Sequence, residues 1–261
     1  MSYVSPLEFA TAAGEPHSVI RVTNLQATVK VGADAWGRNQ GKAQPVLISV
    51  AISLRNPFTT ASAQDSVDGS TVHYGILSKG ILEAAKTFTW EYPLRPDERG
   101  IIRAAGTLNL FWEHILLYLT GIEKDGWQKQ GHKDTRVALI NAILMTSLEI
   151  EVRLPKASLI GSGVSVYGAV QLHKDGYLAN QTRGLRVQDM RVPTIIGVNP
   201  NERLAKQIVI ANVDINPWHL DEDLYCMLEE IVFKVNSEPT FHIQANENRP
   251  LRNHPSKPWR P

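Results

Sequence analysis

The chain has 261 residues, 43 % of them hydrophobic and 20 % charged, an ordinary globular balance for one large domain or two small ones. Its 27 basic and 26 acidic residues leave a formal charge of +1 with no basic block, which excludes the electrostatic footprint of a nucleic-acid binder. A single cysteine excludes an intrachain disulfide, the opening residues lack a basic-then-apolar leader pattern, and no apolar run approaches the ~20 residues of a membrane helix. The expectation is a soluble protein in a reducing, cytoplasmic setting, with no membrane and no nucleic-acid partner.

In chain order, residues 19–25 and 46–54 are rich in β-branched side chains and flank a Gly-containing polar connection, which predicts a hairpin. After a polar loop over 62–71, Ile76, Leu77, Gly80, Ile81, Ala84 and Phe88 recur at helical spacing, so a helix begins near Tyr74. Residues 89–106 read as an exposed connection, 108–122 as a second, well-buried helix, and 123–136 as a polar surface excursion. Residues 137–145 fit either an extension of the helical layer or a strand. Residues 148–154 alternate apolar and charged without error, the pattern of an antiparallel strand with one dry and one wet face. Residues 164–172 form a further strand, 185–190, 194–198 and 207–215 a second hairpin, and 224–235 a last helix. The proline-rich stretch after residue 236 reads as a loosely held tail.

The second hairpin repeats the first. Val31-Gly32 and Ile196-Gly197 each lead into a polar loop containing an arginine (Arg38, Arg203), then a glutamine (Gln44, Gln207) and an alternating apolar run. A repeat at so long a period indicates a duplicated domain rather than a solenoid, whose units span ~20–50 residues. The second copy is too short to close a core alone. The expected organisation is a complete domain over 18–175, a truncated copy over 183–236 comprising a hairpin and first helix, and a tail over 237–261.

A set of motifs in order carries a resemblance: the hydrophobe–Gly hairpin with Ala35-Trp36-Gly37-Arg38 and Gln44-Pro45, then Thr71-Val72-His73-Tyr74-Gly75, Leu110-Phe111-Trp112-Glu113-His114, and Val152-Arg153-Leu154-Pro155-Lys156. Over residues 18–172 they resemble the dihydroneopterin aldolase family, and with the repeat they resemble the tandem aldolase domains of fungal folate-synthesis proteins. The resemblance implies an α+β tunnelling fold: an antiparallel four-stranded sheet with two helices on one face, copies joined edge to edge into an oligomeric barrel. It also implies sites at the junctions between copies, free of cofactor and metal, for a small heterocyclic substrate.

The implied chemistry is retro-aldol cleavage of 7,8-dihydroneopterin to a 6-hydroxymethyl-dihydropterin and glycolaldehyde, with epimerisation as a companion. Such a step needs a base, an electron sink and an acid, and the pterin ring is the sink. By resemblance Lys156 shuttles the proton, Tyr74 handles the hydroxyl proton, and Glu113, between Trp112 and His114, anchors the guanidine-like edge of the pterin. The family's hairpin-loop glutamate is replaced by Gly37 in the first copy and matched by Glu202 in the second, where Tyr225 aligns with Tyr74. The expected catalytic set is therefore Lys156, Tyr74 and Glu202, with Glu113, Trp112, His73 and Tyr225 binding substrate and a composite site drawing on both copies. Gly37, the proline preceding rather than following Lys156, and the short second copy keep two further classes open: a cyclase or isomerase repurposed in fungal secondary metabolism, and a non-catalytic scaffold. On residue chemistry alone, Glu113 in a dense apolar helix stands out because an unpaired buried charge is costly. The eight histidines show no metal-ligand spacing, and Cys226 reads as a small core residue.

Overall fold

The computed structural model describes residues 2–38, 42–57, 59–64, 71–88, 106–122, 138–218, 220 and 222–237. Five long strands pair antiparallel in chain order: β2 (Ser18–Lys30), β3 (Ala43–Leu54), β4 (Met145–Leu154), β5 (Gly163–Leu172) and β6 (Leu178–Thr194). Beyond β6 the sheet continues as β7 (Gln207–Ile215), antiparallel along residues 185–194 of β6, while the short β1 (Ser2–Tyr3) pairs parallel at Asn180 and Gln181 and makes the sheet mixed. The β5–β6 ladder joins the first hairpin unit to the second, from Gly163 opposite Gln188 to Leu172 opposite Leu178.

Helices α3 (Tyr74–Thr87), α4 (Leu108–Thr120) and α5 (Tyr225–Ser237) cover one face of the sheet; the six-residue α2 (Thr59–Gln64) leads towards α3. The alternation of β4 accounts for the layer. Leu148, Ile150, Val152 and Leu154 are buried beneath the helices, while Glu149 is exposed and Glu151 and Arg153 are half-buried on the other side. Helix α4 starts at Thr107, whose hydroxyl accepts from the Leu110 amide, and stops at Gly121 in the left-handed region. Between these caps it buries Phe111, Trp112, Ile115, Leu116 and Leu119 in the single core. Gly168 is indispensable there, because a Cβ would meet the Thr182 carbonyl at 2.6 Å and the Trp112 ring at 3.1 Å.

The two hairpins correspond in detail. The Gln44 amide donates to the Val31 carbonyl, and the Gln207 amide donates to the Ile196 carbonyl. Each first strand carries a bulge at a residue of positive φ, Asn24 (53°) in β2 and Asp189 (52°) in β6. The bulged N–H is satisfied from the partner strand in both, by Ser49 Oγ at 3.0 Å and Asn212 Oδ1 at 2.8 Å.

Several expectations change. The chain opens on β1 and on α1 (Pro6–Ala13), which buries Phe9 and is capped by reciprocal Ser5–Glu8 hydrogen bonds. The Ser-x-x-Glu spacing was a readable capping box. Residues 185–190 and 194–198 are not two strands: β6 runs unbroken to Thr194, and 195–198 belong to the following connection. The polar Gln181 and Arg183 hid the first half of β6 from its hydrophobic pattern, although both are buried. Residues 142–144 form a 3-10 turn rather than a helix or strand, and part of the 62–71 loop falls in α2. The expected connection over 89–105, the excursion over 123–136 and the tail from 238 lie outside the described residues.

Candidate active site at the junction of the two hairpin units

Glu113 stands on the flank of α4 that overhangs β6, with 15 % of its side chain exposed. Arg183 of β6 rises beneath it, fully buried, and its Nη1 donates to Glu113 Oε1 at 2.9 Å and to Asn109 Oδ1 at 2.6 Å. The guanidinium lies 4.2 Å from the Trp112 ring centroid, a cation–π contact inside a desolvated site. Trp112 is itself fixed by donating from Nε1 to the Ile150 carbonyl. Arg183 Nε and Nη2 are buried without a hydrogen-bond partner, an arrangement that favours any acceptor brought to them. The backbone carbonyl of Arg183 accepts from Trp218 N and Asn216 Nδ2, so the connection after β7 closes over the same strand.

A second set of contacts gathers where α5 begins. The Tyr225 hydroxyl accepts from Ala33 N at 2.6 Å and donates to Ala33 O at 2.8 Å, pinning the first hairpin loop. Burial, then the neighbouring Asp223 and Cys226, hold the phenol well above the usual tyrosine range. Gly32 lets this contact form: at φ 70°, an added Cβ would meet Leu154 Cδ1 at 2.7 Å and the Tyr225 hydroxyl at 2.9 Å. Asp223 Oδ1 accepts from Leu108 N at the start of α4, and burial outweighs that bond and the influence of the nearby Ala33 amide to push its carboxyl up to about 7. Cys226 lies against Gly37 and donates to the Asp34 carbonyl; burial pushes the thiol up to about 11. Gly37 has φ 73°, a conformation that suits glycine and would strain a glutamate placed there.

Lys156 is exposed on the turn between β4 and β5. That turn is held by the second unit: buried Glu229 of α5 accepts from both Leu159 N and Ile160 N at 3.0 Å, and Ile160 O accepts from Arg191 N of β6. Topology places the Gly37 loop, the Lys156 turn and the 195–206 connection at one end of the sheet.

The remaining expected residues are placed differently. Glu202 sits in the 3-10 turn Pro200–Leu204, where it accepts from Val198 N, Asn199 N and Asn199 Nδ2. Those bonds, from Asn199 first, hold its carboxyl below the ordinary glutamate range. His73 caps α3 by accepting from Gly75 N, with its ring stacked 5.1 Å from Tyr74. Tyr74 is 69 % exposed, in contrast to its buried counterpart Tyr225. Sequence reasoning missed Arg183, Asn109, Asp223 and Glu229. Only Glu229 left a signal, as an acid on the inner face of α5, one turn from Tyr225.

A trough of about 580 Å³ lies on the opposite face of the sheet beneath α1. Arg21, Glu149, Glu151, Tyr167 and Arg186 line it. Arg186 is paired with Asp214 and packed 4.5 Å from the Tyr167 ring, and the Tyr167 hydroxyl also donates to Asp214. Arg186 and Asp214 thus satisfy one another across β6 and β7. The helix-side junction is the candidate site, because its guanidinium is fully buried with unpartnered donors beside a mostly buried carboxylate. Among the described residues no group of three His, Cys, Asp or Glu is placed to hold a metal ion, and no helix is long and apolar enough to cross a membrane.

No protein-family model matches the chain, and no curated protein matches it. Among solved structures it is similar to the dihydroneopterin aldolase of E. coli in complex with neopterin, at 12 % identity and a TM-score of 0.39, over 58 % of this chain and 97 % of that one. It is also similar to the dihydroneopterin aldolase of Burkholderia thailendensis bound to guanine, at 14 % identity and a TM-score of 0.33, over 60 % and 92 %. A third likeness, to the urate oxidase of Bacillus sp. TB-90, has 10 % identity and a TM-score of 0.42 over 85 % and 71 %. These are likenesses only; what the junction does rests on this chain's own side chains.

Proposed function

We propose that the chain is an acid/base lyase of the dihydroneopterin aldolase kind, acting on a dihydropterin-like heterocycle at the junction of its two hairpin units. The observation that carries this reading is that the turn bearing Lys156 is held by Glu229 of the same helix whose Tyr225 locks the first hairpin loop. Residues of both units therefore hold the turn that carries the lysine. In this reading Glu113 accepts from the N–H edge of the ring, Trp112 braces α4 from within the core beneath Glu113, and Lys156 moves the protons. The substrate's side-chain hydroxyl loses its proton, the adjacent C–C bond breaks to release glycolaldehyde with its electrons passing into the ring, and protonation of the carbon left on the ring gives the 6-hydroxymethyl product. Tyr225, with both its donor and acceptor capacity taken by Ala33, serves as a brace.

The test is incubation of the purified full chain with 7,8-dihydroneopterin, following glycolaldehyde and the 6-hydroxymethyl product. Turnover that Lys156→Ala lowers by about 10²–10⁴-fold, the usual contribution of a positioned acid/base group, supports the reading. Absence of glycolaldehyde together with absence of saturable pterin binding refutes it.

A second reading is favoured by Arg183. The chain's own guanidinium already takes the carboxylate that would hold a guanidine-like edge, and its Nε and Nη2 lack acceptors. A heterocycle presenting adjacent ring carbonyls matches those donors better, as in a repurposed isomerase or cyclase. Saturable binding of an oxo-heterocycle such as xanthine, lost in Arg183→Met, combined with no cleavage of dihydroneopterin, would select it.

A further inference from the structure

The two hairpins turn at the same end of the sheet, and both connecting loops hold large apolar side chains out of the core. In the first loop, residues 31–42, Trp36 is 67 % exposed; in the second, residues 195–206, Val198 and Leu204 are 87 and 86 % exposed. Neither loop is slack. Asp34 Oδ1 accepts from Trp36 N and Arg38 N at 3.0 Å, its Oδ2 accepts from Arg38 Nε at 2.9 Å, and the Arg38 guanidinium lies 4.9 Å from the Trp36 ring centroid. Glu202 closes the second loop in the same manner on Val198 N and Asn199 N, while Arg203 Nε donates to the Gly197 carbonyl at 2.8 Å. Loops braced by their own hydrogen bonds thus present a tryptophan and two aliphatic side chains to solvent, a grouping that marks a contact surface.

The charges around these side chains select the partner. Residues 30–42 and 195–206 carry five basic side chains, Lys30, Arg38, Lys42, Arg203 and Lys206, against two acids, Asp34 and Glu202, a balance of +3 in a chain whose whole formal charge is +1. Both acids are turned onto their own loops by the bonds just described. Lys30, Lys42 and Lys206 are exposed, make no ion pair among the described residues, and sit where the loops meet β2, β3 and β7. Apolar residues within the loops and lysines at their feet reproduce the chemistry of a bilayer surface, where indole and aliphatic groups enter the headgroup region and ammonium groups meet anionic lipid. We propose that the two loop tips dock this protein on an anionic lipid surface through Trp36, Val198 and Leu204, with Lys30, Lys42 and Lys206 contacting the headgroups. The tips are four strand spacings apart, about 19 Å, at one end of one sheet, so both can rest on a plane with the sheet standing on end; a peptide partner would instead be held in a groove or along a strand edge. No helix among the described residues is long and apolar enough to cross a membrane, and this mode needs none.

The test is co-sedimentation of the full chain with vesicles of phosphatidylcholine alone and of equal parts phosphatidylcholine and phosphatidylserine. Binding is expected only to the phosphatidylserine vesicles and should fall at high salt, which screens the lysines. Each of Lys30→Ala, Lys42→Ala and Lys206→Ala should weaken it by about fivefold, the contribution of one basic residue near an anionic surface. Trp36→Ala/Val198→Ser/Leu204→Ser should abolish it with circular dichroism unchanged, because all three side chains are exposed. Failure to bind phosphatidylserine vesicles overturns the proposal and leaves an acidic protein as the partner of this end. Equal binding to both vesicle types, or binding that survives the triple substitution, overturns it as well. So does self-association in the absence of vesicles that the triple substitution removes, which would assign the tips to contacts between copies.

Discussion

Asp223 offers the sharpest test of how the junction is held together. Its carboxylate is buried between the start of α4 and the first hairpin loop, with Oδ1 bonded to Leu108 N and Oδ2 without a partner. Burial raises its pKa from the ordinary 3.8 to about 7. The folded state therefore favours the protonated acid: its contribution to stability is fully present below the unfolded pKa and is lost as pH rises through the folded one. The window is between pH 4 and 7, and a separation of about three units corresponds to a loss on the order of 4 kcal/mol across it. Asp223→Asn keeps an acceptor for Leu108 N and cannot ionise. The stability difference between variant and wild type, from urea unfolding followed by tryptophan fluorescence, cancels the titration of all other groups. It should be small at pH 4.5 and favour the variant by several kcal/mol at pH 8. A difference that is flat with pH, or that favours the wild type increasingly as pH rises, would refute a buried, protonatable Asp223 at this junction.

The ion pair beneath α4 should behave as a buried one: Arg183→Met, which removes the guanidinium from beside the Glu113 carboxylate, is expected to cost about 3–5 kcal/mol, whereas Arg183→Met/Glu113→Leu should recover most of that loss. Additive losses in a denaturation cycle would mean that the two side chains act separately. Glu202→Gln should loosen the 200–204 turn, seen as faster amide exchange at Val198 and Asn199, while turnover stays at the wild-type rate; a fall in turnover that is not additive with Lys156→Ala would place Glu202 in the lysine's site instead. Cys226, with its thiol pushed up to about 11 by burial, should react with iodoacetamide at neutral pH far more slowly than a free thiol. Rapid alkylation of the folded chain would show that α5 does not hold the sulfur against the first hairpin loop.

The sequence by itself determined the repeating local structure. Residues 148–154 could only be a strand with one dry face because their alternation matches the strand period, and the Thr107 and Gly121 caps bound α4 through rules that act over a single turn. The hairpin correspondence and the singularity of Glu113 were likewise legible, being matters of spacing and of residue type in an apolar context. Tertiary structure decided what those residues face. Arg183 stands 70 positions from Glu113 and Glu229 stands 69 from Ile160, so no local pattern announces that one charge is neutralised or that the other grips a turn. The same holds for Glu202, a loop acid by its neighbours in sequence, which folding commits to its own turn. Tyr74 and Tyr225 begin equivalent helices, yet only Tyr225 meets a hairpin loop, because the β5–β6 ladder sets the first unit beside α5 and sets nothing described beside α3 at its start. Periodicity fixes the direction in which a side chain leaves its strand or helix, and only the packing of distant segments fixes whether a charge found there meets water, a partner or a backbone amide.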